Sequence, residues 1–198
     1  MTILLAEWRF DYQGPIFSPD SELLVYPKVV DGEPHLHLWR VGSDDPVVDL
    51  EKDASMVAFQ PDSRRCAVGH ANGLVRILDC RSFEESARYE TGVTGSPLAV
   101  AWNPRLPQIA IMDRNQWRII DADSGTTISN HVVNEGLGGW PAWDPTGKRL
   151  SAGVFDNNIG IWDSMTTDLT VAPIHGHLNG GTIVRFCPDG NRLVSNDW

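Results

Sequence analysis

Apolar residues along this chain come in short runs separated by turn formers. Segments such as Val57-Ala58-Phe59, Val75-Arg76-Ile77-Leu78 and Ile159-Gly160-Ile161-Trp162 are rich in β-branched and aromatic side chains. They read as strands. Between such runs stand Pro-Asp-Ser and Pro-Asp-Gly, where Pro fixes φ and Asp caps the turn backbone. Asn72-Gly73 supplies the positive φ that a two-residue hairpin turn needs.

The pattern repeats. Phe17-Ser18-Pro19-Asp20, Phe59-Gln60-Pro61-Asp62, Trp102-Asn103-Pro104-Arg105, Trp143-Asp144-Pro145-Thr146 and Phe186-Cys187-Pro188-Asp189 place their prolines at intervals of 42, 43, 41 and 43 residues. A second marker runs in phase: a short apolar strand ending in Trp39-Arg40, Leu78-Asp79, Ile120-Asp121 and Trp162-Asp163. Between the two lies an apolar run leading to a turn. Each period therefore predicts three or four antiparallel strands and no helix. A lone sheet of that size leaves two apolar faces wet, so it must stack on its neighbours, which is the logic of a propeller.

Composition narrows the function. The chain has 198 residues, with 16 Lys+Arg against 26 Asp+Glu and a net charge of −10. The acidic balance, with no basic cluster, argues against nucleic-acid binding. Eighteen Gly and 13 Pro favour many short elements. The N-terminal residues lack the marks of a signal peptide, and no apolar stretch is long enough for a spanning helix, so no membrane insertion is expected. Cys66, Cys80 and Cys187 have neither Cys-x-x-Cys spacing nor an even number. They read as reduced, mostly buried thiols of a cytoplasmic protein.

These repeats resemble the WD-repeat β-propeller family, whose repeat runs Gly-His, strand, Phe-Ser-Pro-Asp-Gly, strand, Asp-Gly, and a strand ending Trp-Asp. Gly176-His177, eleven residues ahead of Pro188, and Trp162-Asp163, with Asp156 six residues earlier, are the best matches. Trp39, Asp79 and Asp121 hold corresponding structural positions in other repeats. The resemblance implies an all-β propeller of four-stranded antiparallel blades. It implies four complete blades and one partial blade, with repeats at about 14–54, 55–96, 97–137, 138–180 and 181–198. Residues 1–13 hold a lone strand, Ile3 to Phe10, the outer strand of a neighbouring blade. No repeat carries the whole His-Asp-Ser/Thr-Trp network of that family: Val154 and Asn134 replace two of its members in the fourth. Degeneracy of this kind resembles bacterial members, where such propellers often follow a serine/threonine kinase domain. This chain itself holds no kinase motif.

Aligned on the prolines, Leu150 matches Leu193 and Phe155 matches Trp198, so the fifth repeat stops after two strands. Three explanations stand open. The chain is a fragment of a larger propeller, it closes a ring by self-association, or it closes alone as a small ring.

Candidate chemistry is sparse. His35-Leu36-His37 and His175-Gly176-His177 place imidazoles on one strand face, but no carboxylate or Cys cluster accompanies either pair at ligand spacing. No metal site is expected on those grounds. Asp121-Ala122-Asp123-Ser124-Gly125 opens like a calcium loop, yet Val132 occupies its twelfth position. Gly147-Lys148 lacks the leading Gly and following Ser/Thr of a phosphate loop. With no nucleophile elbow and no oriented Cys/His pair, no enzyme and no cofactor are expected. The aromatic residues say more. Trp102, Trp143 and Phe186 stand in the slot before Pro and read as core. Phe155 and Trp198 precede the turn between second and third strands, at a rim where the family often binds partners. Asp113 matches their slot in the third repeat, and Arg114 and Trp140 lie near it. The expected function is a non-catalytic scaffold binding a protein or peptide through Phe155, Trp198, Asp113, Arg114 and Trp140. The alternative is a regulatory propeller fragment of a larger bacterial signalling protein such as a kinase.

Overall fold

The computed structural model describes residues 14–44, 48–51, 53–92, 98–154, 157–178 and 183–196. The strand expected over Ile3–Phe10 lies outside them, as do Phe155, Asp156 and Trp198. All regular structure among the described residues is β, and it divides into two compact units between Leu98 and Ala99.

In the first unit, β1 (Ile16–Phe17), β2 (Leu23–Val30), β3 (Glu33–Arg40) and β4 (Val48–Asp49) form one antiparallel sheet in chain order. A second sheet follows in the same order: β5 (Ala54–Phe59), β6 (Arg65–His70), β7 (Leu74–Asp79) and β8 (Glu85–Glu90). The sheets face each other through Leu23, Val25, Leu36 and Leu38 on one side and Val57, Cys66, Val68 and Leu78 on the other, all buried. Alternation does the sorting. In β3, Leu36 and Leu38 point into this core, while His35, His37 and Trp39 take the opposite face.

The second unit repeats the plan. β9 (Ala99–Trp102), β10 (Gln108–Met112), β11 (Gln116–Asp121) and β12 (Thr127–Val132) make a complete sheet. β13 (Leu137–Trp143), β14 (Arg149–Val154) and β15 (Asn158–Asp163) make the next, and β16 (Ile183–Phe186) pairs with β17 (Leu193–Asn196). The fourth sheet departs from the four-stranded plan. Beyond β15, among the described residues, only the isolated bridges Trp162–Leu169 and Ile159–Ile174 run along its edge. Pro173 lacks the N–H a continuous ladder would require there.

Local chemistry sets the turns. Ser18, Gln60, Asp144 and Cys187, each just before Pro, accept through their carbonyls the N–H groups of Ser21, Ser63, Gly147 and Gly190. Those four residues have φ between 60° and 71°. At Gly147 the reason for glycine is also steric, because a Cβ would overlap the Asn103 carboxamide. Adjacent sheets of the second unit are tied through these turns: Asn103 Nδ2 donates to Gly147 O at 2.9 Å, and an Arg149 guanidinium nitrogen donates to Gly190 O at 2.7 Å. Trp102 is buried. Trp143 and Phe186 are half-buried, and Trp143 Nε1 donates to Ala101 O at 3.0 Å. Phe17, in the same slot of the first sheet, is exposed. Cys66 and Cys80 are buried free thiols, and Cys187 is half-buried and free.

Candidate partner-binding surface

The strand-end aspartates act as turn caps. Asp79 Oδ1 accepts the N–H groups of Arg81 and Ser82, Asp121 Oδ1 those of Asp123 and Ser124, and Asp163 Oδ1 those of Met165 and Thr166. Each turn closes with the residue four positions on, in the left-handed region: Phe83, Gly125 and Thr167, at φ 61°, 72° and 66°. Hydrogen bonds from backbone N–H groups hold the Asp79 and Asp163 carboxyls below the ordinary carboxylate range. The loop from Asp121 is thus a capped turn, as its sequence suggests. Trp39 Nε1 donates to Ser43 O at 3.4 Å, in the first sheet's version of this turn, where Arg40 stands in place of Asp.

The Gly-His position is partly built. His177 Nε2 lies 2.7 Å from Ser195 Oγ on β17, which supplies two members of the network that the sequence leaves incomplete. Gly176 has φ 150°. Trp162 packs within 6.2 Å of Trp117 and 6.1 Å of His131, ring centre to ring centre.

The rim residues divide into two kinds. Asp113 is occupied locally: Oδ1 accepts the N–H groups of Asn115 and Gln116, and Oδ2 accepts from Gln116 Nε2 at 3.0 Å. It shapes the β10–β11 hairpin. Arg114, at the tip of that hairpin, is exposed, and its carbonyl accepts the Leu137 N–H at the start of β13. Three residues along β13, at a break in register between Gly138 and Ala142, sits half-buried Trp140. The hairpin tip and the bulged start of β13 are therefore joined. Neither the Arg114 guanidinium nor the Trp140 indole has a hydrogen-bonding partner among the described residues.

Two features were not legible in the sequence. A groove of about 440 Å³ in the first unit is lined by alternating charges, among them Asp20, Arg40, Asp62, Arg64, Asp79 and Arg81. It lies at the sheet ends that carry the proline turns and the aspartate cap of that unit. The other is a carboxylate beside the first histidine pair. The expectation that none accompanies His35 and His37 is corrected: β4 pairs His37 with Asp49, and His35 Nδ1 lies 2.9 and 2.8 Å from its two oxygens. Adjacency across strands brings together residues too far apart in sequence to show ligand spacing.

No family model matches the chain. A solved chain in a crystal structure of the mitotic checkpoint complex superposes with a TM-score of 0.77 at 20% identity, covering 96% of this chain and 60% of that one. That match decides the architecture. The fold is that of a WD-repeat β-propeller. Among curated proteins, the chain is 25% identical over 174 residues to an Arabidopsis thaliana protein, cell division cycle 20.1, a cofactor of the APC complex. It is 21% identical over 183 residues to THO complex subunit 3 of the same plant. These matches take in 81% and 79% of this chain but 37% and 55% of the relatives, so the chain spans about a third to a half of their length. Both relatives are WD-repeat proteins. They lend no support to a bacterial attribution or to the kinase alternative. No helix among the described residues is long and apolar enough to cross a membrane.

Proposed function

We propose that this chain is a non-catalytic interaction module that binds a protein or peptide partner. The observation that carries the reading is the presence of exposed Arg114 and half-buried Trp140 on two tethered elements, with neither the guanidinium nor the indole hydrogen-bonded among the described residues. Arg and Trp are the residue types in which binding energy concentrates, because each combines large contact area with a directional polar group. Asp113 is the scaffold of this surface and holds the hairpin that presents Arg114. Phe155 and Trp198 lie outside the described residues; the repeat alignment gives them the Asp113 slot in the following two repeats, and they are included on that ground alone. The WD-repeat relatives named as a complex cofactor and a complex subunit agree with a role in assembly.

The test is quantitative affinity capture from cell extract with the intact chain and with Arg114→Ala, Trp140→Ala and the double variant. Each single change is expected to weaken partner retention about tenfold or more, with an unchanged melting temperature. Equal retention of every captured protein by the double variant would remove this surface from the partner site. Absence of any stoichiometric partner for the unmodified chain would remove the reading altogether.

A further inference from the structure

We propose that His35, His37 and Asp49 form a binding site for one divalent transition-metal ion, with zinc the best match to the donor set. The strand pattern builds it. His35 and His37 alternate on β3 and share the face opposite Leu36 and Leu38, which are buried in the core. β4 lies alongside in register, with Asp49 directly across from His37. One ligand atom from each of the three residues falls within 4.8 Å of the other two. Donors around a tetrahedral zinc ion stand about 3.4 Å apart, so a small turn of the side chains brings the three into a coordination shell. The His35–Asp49 contact, at 2.8 Å, already holds two of the three donors side by side.

A second observation, independent of the clustering, points to a missing ligand. His37 is 7% exposed, and neither of its ring nitrogens has a hydrogen-bond partner. A neutral imidazole carries one N–H and one lone pair, and leaving such groups buried and unused is unfavourable. A metal ion takes the lone pair. Tyr26 packs against the ring at 5.7 Å between centres and limits its motion. Asp49 is 41% exposed at its side chain, so the ion has a path from solvent and a fourth position remains for water. Nitrogen and carboxylate donors without sulfur suit zinc, cobalt, nickel or copper over calcium and magnesium. Exposed Lys28, across from His35 on β2, is a nearby opposing charge, and the Asp49 carboxylate offsets it.

The experiment uses the full chain stripped with chelator and titrated with zinc chloride by calorimetry, and separately with cobalt(II) by absorption. One zinc per chain, with micromolar or tighter affinity, is expected. Asp49→Asn and His35→Gln alter side chains near the edge and should leave the circular dichroism spectrum and melt intact. Each is expected to weaken zinc binding by about tenfold or more, since even outer-shell changes commonly cost that much. No saturable zinc binding by the unmodified chain, or unchanged affinity in both folded variants, overturns the site. Cobalt supplies a readout that does not depend on the variants. Visible bands without a thiolate charge-transfer band support the His-His-Asp set, whereas a thiolate band would assign the ion to a cysteine and overturn the proposal.

Discussion

At the scale of the residue, Asp144 shows how a motif position becomes a stability determinant. The resemblance to a Ser-Pro turn accounts for the turn but not for its burial. Asp144 is fully buried, and its carboxylate accepts the N–H groups of Lys148 and Arg149, the Thr146 hydroxyl at 2.7 Å and Arg149 Nε at 3.1 Å. Burial alone would raise its pKa. These donors outweigh burial and hold the carboxyl below its ordinary range. Its stabilisation is therefore present above the unfolded-state value, about 3.9, and is lost as pH falls through the lower folded value. Asp144→Asn keeps one acceptor but turns an amide toward Arg149. It is expected to cost about 2–3 kcal/mol in denaturant unfolding at neutral pH. Asp113 teaches the same lesson in reverse. Repeat alignment finds its slot, but only the hydrogen bonds show that its carboxylate is spent on its own hairpin.

At the scale of the element, β15 is the clearest case of mutual constraint. Gly160 and Trp162 lie two apart on one face, and the indole folds back over the glycine. A Cβ at Gly160 would overlap that ring. The same indole meets Trp117 and His131 of the preceding sheet, so displacing it disturbs the contact between sheets. Gly160→Val is expected to destabilise by about 1–3 kcal/mol, read as a lower melting temperature with a changed near-ultraviolet circular dichroism spectrum. An unchanged near-ultraviolet spectrum would show that the ring stays in place. Here the apolar run Ile159–Trp162 predicts the strand, but nothing local distinguishes Gly160 as spacer from Gly160 as weak point. The broken edge beyond β15 is a further element-scale difference, since one proline and a long connection replace a regular fourth strand.

At the scale of the whole molecule, buried histidines make stability depend on pH. Burial lowers the pKa of both His37 and His70, and the Arg76 charge adds to the effect at His70. With a depressed folded-state pKa, the unfolded chain binds more protons near pH 6, so stability falls as pH drops below about 6.5. Urea midpoints measured in chelator are expected to be level from pH 8 to 7 and to decline toward pH 5 on this account. His70→Gln should remove part of that decline. A flat profile for the unmodified chain would show that these imidazoles are not held neutral in the fold.

The chain's own sequence determined the period, the β class, the turn positions and the place of Asp113 at the turn between the second and third strands of its repeat. Those features follow from interactions within a few residues: Pro fixing φ, Asp and Ser capping nearby N–H groups, and branched or aromatic side chains favouring extended backbone. Tertiary structure decided which distant groups meet. Asp49 stands against His37, Asn103 against Gly147, and alternating charges line one groove, because register and sheet stacking choose partners across gaps that sequence spacing does not encode. It also decided which polar groups are left unused. The bare nitrogens of His37 belong to a buried ring that packs on Tyr26 beside β4, and no local pattern in the chain reports that burial.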